Sequence, residues 1–379
     1  MNKKAAFITV LTAAALVGLL TVLDLVNEER TFSQTENRIL ASRPEFSVQS
    51  LFSGEYTSDY ENYVTDQFVA RDGWIGLKTY ADLALGKKEV NGVYLAGNGE
   101  FIEQHKAEEI DEAQVQEKIA LLQALVERYE DSDKIDQVKV LLAPTADNVL
   151  TEELPAFADY YDQTRLLDQV KETVGEEHFV EVLPVLEAHH EEYIYYKTDH
   201  HWTTLGAHYA YQEWAADMGL TPVSFTKEDA VTVAEEFLGT LHSKVNIAAS
   251  PDTIQVYGPS LEKEYSVYYD LGNQGKTSIY EKKHLDTKNK YGYFLDDNHG
   301  FVQIETGVDN GRTLLVIKDS YANCFVPFAL EHYETVCIID LRYCNMRLYQ
   351  LIDQWTRDGN ADLLVLYNVI HFIQEFKYL

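Results

Sequence analysis

The sequence predicts an α/β fold built around a parallel sheet. Strand and helix alternate through its last third, where apolar strands are expected at Thr313 to Ile317, Val336 to Ile339 and Leu363 to Tyr367. Such alternation implies parallel strands joined by right-handed crossovers. Two further observations complete the prediction: a β-rich insertion at about 225–310, and an uncharged N-terminal run long enough to form a transmembrane helix.

The N-terminal run extends from Ala5 to Leu23, is preceded by Lys3 and Lys4, and is closed by Asp24. About 19 apolar residues can just span a bilayer as a helix. Because a positive flank stays in the cytoplasm, the rest of the chain is expected on the outer side. A cleaved signal peptide is the alternative, since Ala13 to Ala15 offers small residues. We favour an uncleaved anchor because the apolar run continues past these alanines.

The body of the chain carries a hairpin signal at Asn91-Gly92. A helix is predicted from Glu108 to Tyr129, where apolar residues recur at helical spacing between charges. The continuous apolar run from Val138 to Leu142 is typical of a strand in a parallel sheet. A strand from Tyr193 to Tyr196 is expected to lead into a polar loop. Between 225 and 310, short alternating runs separated by Asn, Gly and Asp turns indicate the β-rich insertion.

Composition limits the class of partner. The 379 residues include 62 Asp and Glu against 31 Lys and Arg, for a net charge of −31. Such a chain repels phosphates, which argues against nucleic acid as a partner and against binding of anionic lipid through a polybasic segment. We expect an anchor or signal at 1–25 and one domain at 26–379 that contains the insertion. The three cysteines, Cys324, Cys337 and Cys344, are clustered and odd in number, so buried thiols are expected rather than a disulfide framework.

Two motifs carry the candidate chemistry, KTDHHW at 197–202 and KDSY at 318–321. A carboxylate two residues before a histidine can hold one ring nitrogen and leave the other free to take a proton. A serine just beyond an apolar strand lies where parallel sheets place their sites. The pattern predicts a hydrolase or acyl transferase with Ser320 as nucleophile, His201 as base and Asp199 as its orienter. We expect Ser320 to start a helix, so that its backbone N–H can face an oxyanion.

Each of these residues also has an ordinary structural explanation. Ser320 is a good helix N-cap, and Asp199 suits a cap or a loop equally well. A metal site built from Asp199, His200, His201 and His208 is a weaker alternative, because the chain has neither an HExxH pattern nor paired CxxC motifs. We therefore expect no metal.

Four further residues are candidates for the oxyanion or substrate contacts. Asn368 follows the last predicted strand and can either donate its amide to an oxyanion or simply end the strand. Arg342 can bind an anion, although a structural pair with Asp340 is favoured. Trp202 is favoured as a packing residue over a substrate platform. Tyr321, next to the candidate nucleophile, completes the set.

The sequence resembles the DHHW protein family and, more distantly, the alginate O-acetyltransferase branch of the SGNH hydrolase superfamily. The resemblance rests mainly on Asp199-His200-His201-Trp202 and on Lys318-Asp319-Ser320-Tyr321. Shorter pieces support it, at Glu36 to Ala41, Asp66 to Phe68, Arg71-Asp72, Asn91 to Leu95 and Asp340 to Tyr343.

The resemblance implies an SGNH hydrolase-like domain, a flavodoxin-like three-layer α/β fold, with Ser320, His201 and Asp199 as the triad. The acetyltransferase branch has an Asp-x-His-Trp element, which selects His201 over His200. In the usual SGNH order the serine comes first and the Asp/His pair last. The reversed order in this chain is what a circularly rotated sheet would give, and the strand before Asn368 would then bring the oxyanion asparagine.

The function implied is an O-acetyltransferase acting on cell-surface or secreted polysaccharide, with its catalytic domain extracellular or periplasmic and a single membrane-spanning helix. A membrane-bound O-acyltransferase partner would supply the acetyl group, and no cofactor is implied. A carbohydrate acetyl esterase with the same triad is one alternative. A non-catalytic polysaccharide assembly or binding protein on the same scaffold is the other.

Overall fold

The computed structural model describes residues 3–33, 38–272, 275–357 and 359–378. Glu36 and Asn37, which belong to the N-terminal piece of the resemblance, lie outside these ranges. The chain divides into two compact units: Met1–Lys87 with Ser243–Ala248, and Lys88–His242 with Ala249–Leu379.

The first unit contains the apolar N-terminal helix and a short helical segment. Its elements are α1 (Lys3–Val26), β1 (Phe32–Ser33), β2 (Arg38–Ile39), α2 (Val48–Ser53), α3 (Glu55–Gln67) and α4 (Arg71–Ala84). Within α1, Lys4–Leu23 is long and apolar enough to cross a membrane, a property that signal sequences share. At the end of α3, Gln67 Nε2 donates to the carbonyl oxygens of Arg30 and Ala41, which fixes the segment that follows α1.

The second unit holds the remaining elements. Its strands are β3 (Glu89–Val90), β4 (Val93–Leu95), β5 (Phe101–Glu103), β6 (Ile135–Ala143), β7 (Ala230–Phe237), β8 (Asp252–Tyr257), β9 (Ser266–Tyr269), β10 (Phe301–Glu305), β11 (Thr313–Lys318), β12 (Thr335–Asp340) and β13 (Ala361–Asn368). Its helices are α5 (Glu112–Tyr129), α6 (Ala146–Val149), α7 (Gln163–Val174), α8 (Leu183–Ala188), α9 (Thr204–Asp217), α10 (Thr240–Val245, which begins in this unit), α11 (Ala322–Ala329), α12 (Leu348–Trp355) and α13 (Val369–Glu375).

A six-stranded sheet forms the centre of the second unit, in the order β6-β13-β11-β12-β10-β9. The first four of these strands run parallel, whereas β10 is antiparallel to β12 and β9 is antiparallel to β10. The predicted α/β architecture with a mostly parallel sheet is therefore confirmed. In β11, Lys318 is paired with Asp340 on one side and Leu366 on the other, so the carboxyl ends of three strands lie side by side.

Helices cover both faces of this sheet. Successive side chains of a strand point to opposite faces, so Leu314 and Val316 of β11 pack with α9 and α11. Leu315 and Ile317 pack instead with α5, α7, α12 and α13. Every residue of β13 is buried, which explains why its central part, Leu363 to Tyr367, is a continuous apolar run in the sequence. The arrangement has three layers; the circularly rotated order stays a prediction.

The segment from 225 to 310 is rich in short strands and tight turns. Its β7 and β8 form an antiparallel pair with register irregularities. Its β9 and β10 lengthen the main sheet beyond β12. Three short 3-10 helices lie in the same segment, at Gly258–Leu261, Lys282–Asp286 and Lys290–Tyr293. The segment therefore extends the central sheet through β9 and β10 and adds the separate β7–β8 pair.

Candidate active site

Ser320 lies in a tight turn between β11 and α11. The turn closes on Asp319, whose Oδ1 accepts a hydrogen bond from Tyr321 N at 2.9 Å, while its carbonyl accepts one from Ala322 N. Aspartate commonly bonds its own backbone two residues on, in place of a helical turn. The helix expected to start at Ser320 accordingly begins at Ala322 instead.

The DHHW motif lies in a loop that bends back on itself. Tyr196 N donates to His201 O at 3.1 Å, and Thr203 N donates to Ile194 O at 2.9 Å. The strand expected at Tyr193 to Tyr196 is wrong, because only a single bridge forms there, between Tyr195 and Trp202. Because residues 194–196 pair with the chain just after the loop, at 201–203, no neighbouring strand in the described part of the chain extends this pairing into a sheet.

The two motifs meet through one imidazole ring. His201 Nδ1 lies 2.6 Å from Asp199 Oδ1, and His201 Nε2 lies 2.8 Å from Ser320 Oγ. The backbone N–H of His201 donates to the same carboxylate oxygen at 3.1 Å. All three side chains are buried. With its proton on Nδ1, this ring donates to the carboxylate and accepts from the hydroxyl, as a serine nucleophile and its base require.

Asp199 is held as an anion. Its Oδ2 accepts hydrogen bonds from Thr240 N at 2.8 Å and from Thr240 Oγ1 at 3.1 Å. Burial raises the pKa of the Asp199 carboxyl, but His200, His201 and the Thr240 N–H together bring it well below its usual range. The carboxylate is therefore ionised at neutral pH and can stabilise a charged His201 imidazole.

Sequence reasoning missed three residues that hold this loop in place. Tyr291 stacks on the His201 ring with centroids 3.9 Å apart, and its hydroxyl donates to Ser320 O at 3.0 Å. Asp252 accepts hydrogen bonds from the backbone N–H groups of Lys197 and Thr198, both at 2.8 Å. Thr240, described above, is the third. All three come from the segment 225–310, where no local pattern relates them to a motif earlier in the chain.

Trp202 and Tyr321 join the two motifs from inside. Trp202 is fully buried, and its Nε1–H donates to Tyr321 O at 2.9 Å. The Tyr321 hydroxyl donates in turn to His200 O at 2.6 Å. The contacts of both residues are those of packing groups that fix the distance between Ser320 and His201.

Arg342 and Asn368 make contacts near the turn that carries Ser320. Arg342 pairs with Asp340, through Nε at 2.8 Å and Nη2 at 2.7 Å. Asn368 accepts a hydrogen bond from His371 N through Oδ1 and so caps α13. Its Nδ2 donates one hydrogen bond to Asp319 Oδ2 at 2.8 Å, which leaves its second N–H for other contacts.

A buried lysine beside the nucleophile was also missed. Lys318 Nζ lies 2.8 Å from Asn298 Oδ1, 2.9 Å from Asn323 Oδ1 and 3.1 Å from Asp340 Oδ2. Burial lowers the pKa of Lys318, against the opposing effect of Asp340. In the sequence Lys318 follows the predicted strand and opens the KDSY motif, where a lysine is ordinarily expected in solvent.

The structure brings together three of the four residues that were considered for a metal site. One ligand atom each from Asp199, His200 and His201 lies within 4.8 Å of the others. His208 lies apart, with Nε2 2.9 Å from Val223 O. His200 Nδ1 is 2.8 Å from Thr240 Oγ1, and burial together with the adjacent His201 lowers the pKa of His200 to about 4. A metal ion bound through Nδ1 of His201 would have to displace the contact with Asp199.

The geometry defines a class of site, a buried Ser-His-Asp arrangement beyond the carboxyl end of a parallel strand, of the kind that acyl-transferring enzymes use. The DHHW protein family model matches residues 162–339, a range that contains both Asp199 to Trp202 and Ser320. The resemblance to the DHHW family is thereby confirmed.

Solved structures share the fold. A DHHW family protein from Eubacterium siraeum is 23% identical, with a TM-score of 0.60 over 76% of this chain and 96% of that one. Bacillus cereus PatB1 is 17% identical, with a TM-score of 0.61 over 75% of this chain and 99% of that one. PatB1 with a sulfonyl adduct gives 19% identity and a TM-score of 0.60, over 75% of this chain and 97% of that one. Among curated proteins, none matches the chain.

Proposed function

We propose that this protein is an O-acetyltransferase that acts outside the cytoplasm on cell-surface or secreted polysaccharide, through an acetyl-enzyme formed on Ser320. The observation that carries the proposal is the pair of contacts made by His201, 2.8 Å to Ser320 Oγ and 2.6 Å to Asp199 Oδ1. The resemblance to the DHHW and alginate O-acetyltransferase families is the reason for proposing an acetyl group as the group transferred and a polysaccharide as its acceptor.

In the first half of the reaction Ser320 Oγ attacks the carbonyl carbon of an acetyl donor, and His201 Nε2 takes the hydroxyl proton. The negative charge on the carbonyl oxygen is stabilised by the backbone N–H of Ser320, with the second N–H of the Asn368 amide as a further candidate. The intermediate collapses when the bond to the leaving group breaks and His201 protonates that group. Asp199 keeps its charge throughout and stabilises the imidazolium.

In the second half a sugar hydroxyl gives its proton to His201 Nε2 as its oxygen attacks the acetyl carbonyl carbon. The bond between that carbon and Ser320 Oγ then breaks, His201 returns the proton to Ser320 Oγ, and the acetylated sugar leaves. An acetyl esterase would use the same residues with water as acceptor. Comparing acetate release with sugar acetylation, with and without an oligosaccharide, separates the two. A non-catalytic polysaccharide-binding protein would instead leave Ser320 unreactive towards serine-directed probes.

The N-terminal helix and the partner belong to the same proposal. A helix that stays in the membrane would keep the site close to the bilayer, where a membrane-bound O-acyltransferase could deliver acetyl groups. The length and apolar character of Lys4–Leu23 support this arrangement. The acidic surface, with a net charge of −31, suits a neutral or cationic glycan better than a phosphate-rich polymer.

The test combines covalent labelling with transfer. PatB1 has been solved with a sulfonyl adduct, so a sulfonyl fluoride and a fluorophosphonate are suitable probes. We expect both to label wild-type protein at Ser320, and we expect Ser320→Ala to lower acetyl transfer from a model ester to an oligosaccharide by at least about a thousandfold.

Ser260→Ala is the matched control, because Ser260 is also buried and its hydroxyl bonds Tyr280 Oη at 2.6 Å but no imidazole. It should keep wild-type labelling and transfer. Folded wild-type protein that neither probe labels would contradict the enzymatic proposal and favour the non-catalytic one.

A further inference from the structure

A second histidine–aspartate pair, His371 and Asp319, contacts the turn between β11 and α11 that carries Ser320. Asp319, the residue before Ser320, is fully buried. Besides the hydrogen bond from Tyr321 N to Oδ1, its Oδ2 accepts from Asn368 N at 3.0 Å and from Asn368 Nδ2 at 2.8 Å. His371 Nδ1, in the first turn of α13, lies 2.8 Å from the same oxygen. One carboxylate thus joins the turn, the end of β13 and α13.

His371 is the titratable partner of Asp319 in this cluster. A buried carboxylate needs both hydrogen bonds and a compensating charge to remain ionised. Burial lowers the pKa of His371, and the Asp319 carboxylate reverses that effect and raises it above the ordinary value. Burial likewise raises the pKa of Asp319, and His371 with Arg342 brings it below its usual range. Glu375 also faces His371 and favours its charged form.

Other contacts that hold this turn come from buried side chains. Tyr321 O accepts a hydrogen bond from Trp202, and Ser320 O accepts one from Tyr291. Of the four hydrogen bonds to the Asp319 carboxylate, three come from the buried residues Tyr321 and Asn368. The fourth involves His371, whose side chain is 22% exposed. One of the contacts that fix the turn carrying Ser320 is therefore made by a ring that lies partly in solvent.

We propose that His371 is a positioning residue in the acyl transfer proposed above: through its Nδ1 contact with Asp319 it holds the turn that presents Ser320 to His201. It acts through Asp319 and not on the reacting atoms. The centroid of its ring lies 6.0 Å from that of His200, and the ring nitrogen Nδ1 bonds Asp319.

Two isosteric replacements separate this role from direct substrate contact. In His371→Asn the amide nitrogen occupies the place of Nδ1 and can still donate to Asp319. In His371→Gln the amide nitrogen occupies the place of Nε2 instead. We measure the maximal rate and the half-saturating concentration of fluorophosphonate labelling for both variants, for His371→Ala and for wild type. His299→Ala is the matched control, since His299 Nδ1 lies 2.9 Å from Asp270 Oδ2 and its side chain is 24% exposed.

We expect His371→Ala and His371→Gln to lower the maximal labelling rate roughly ten- to a hundredfold, the size of effect that a small misplacement of a reacting group produces. The half-saturating concentration should stay the same. His371→Asn and His299→Ala should label at close to the wild-type rate. Retained labelling in His371→Gln with loss in His371→Asn would overturn the proposal and point to a contact through Nε2.

Amide hydrogen exchange gives a readout that does not depend on reactivity. We expect the peptide covering 318–323 to exchange faster in His371→Ala and His371→Gln than in wild type and His371→Asn. Equal exchange of this peptide in all four proteins would overturn the positioning role of His371. That conclusion would hold even if no probe labels the wild-type protein. Unlabelled wild type with the expected exchange pattern would contradict only the proposed acyl transfer.

Discussion

At the scale of single residues, Asp199 connects the DHHW loop to Thr240 at the start of α10. Its two oxygens accept four hydrogen bonds, two from His201 and two from Thr240. The contact between Asp199 and His201 could be predicted from the sequence, because a carboxylate two residues before a histidine can accept a hydrogen bond from its ring. Thr240, Tyr291 and His371 could not, since each meets the site from a distant segment and no spacing records such contacts.

His105 gives a prediction about pH at the same scale. Its Nδ1 lies 2.9 Å from the fully buried Asp147. Burial lowers the pKa of His105, but Asp147 and then Glu103 outweigh it and raise the pKa to about 10. A histidine with a raised pKa stabilises the fold fully below its unfolded pKa of about 6.5. That contribution falls as pH rises and disappears above about 10.

His105→Asn keeps an N–H for Asp147 and removes the charge. The difference in unfolding free energy between wild type and His105→Asn should be largest at pH 6 and should shrink steadily towards pH 10, in urea titrations at a series of pH values. A difference that grows with pH would show that the ring is neutral in the folded protein.

At the scale of elements, parallel register brings polar residues from three strand ends to one edge. Lys318, Asp340 and Asn368 end β11, β12 and β13, each after a run of apolar residues. Those runs predicted the strands, and the carboxyl-end rule placed the site beyond them. The strand expected at Tyr193 to Tyr196 failed because β-branched and aromatic residues also suit a buried loop that pairs with itself.

The ion pair between Lys318 and Asp340 should stabilise the β11–β12 edge. Both side chains are almost inaccessible to solvent, with Nζ 3.1 Å from Oδ2. Asp340→Asn would leave Lys318 buried without its counter-ion, and we expect it to lower the free energy of unfolding by about 3–5 kcal/mol.

The double variant Lys318→Met/Asp340→Leu removes both charges and should be less destabilised than Asp340→Asn alone. Chemical denaturation of the three proteins measures this. A loss below about 1 kcal/mol for Asp340→Asn, as expected for a solvent-exposed pair, would mean that water replaces the carboxylate.

At the scale of the whole molecule, composition and the N-terminal run predicted more about location than about architecture. The acidic excess and the apolar helix are properties of the chain that do not depend on its fold. The division into two units, with Ser243–Ala248 grouped with the N-terminal part, had no sequence signal because it depends on contacts across more than 150 residues.

The anchor is tested by fractionation of cells that make the full chain. We expect a species of about 43.3 kDa in the membrane fraction, resistant to carbonate washing, with its C-terminal part accessible to protease from outside the cytoplasm. A shorter, soluble chain that begins near residue 25 would show that the run is a cleaved signal. Labelling of Ser320 should be the same in either case.

Three side chains of the segment 225–310, Thr240, Asp252 and Tyr291, grip the DHHW loop without being among the reacting groups. The position of the His201 ring is thus open to adjustment through residues that lie outside the two motifs. If the proposed acyl transfer holds, directed evolution confined to this segment could change its rate while Ser320, His201 and Asp199 keep their identities.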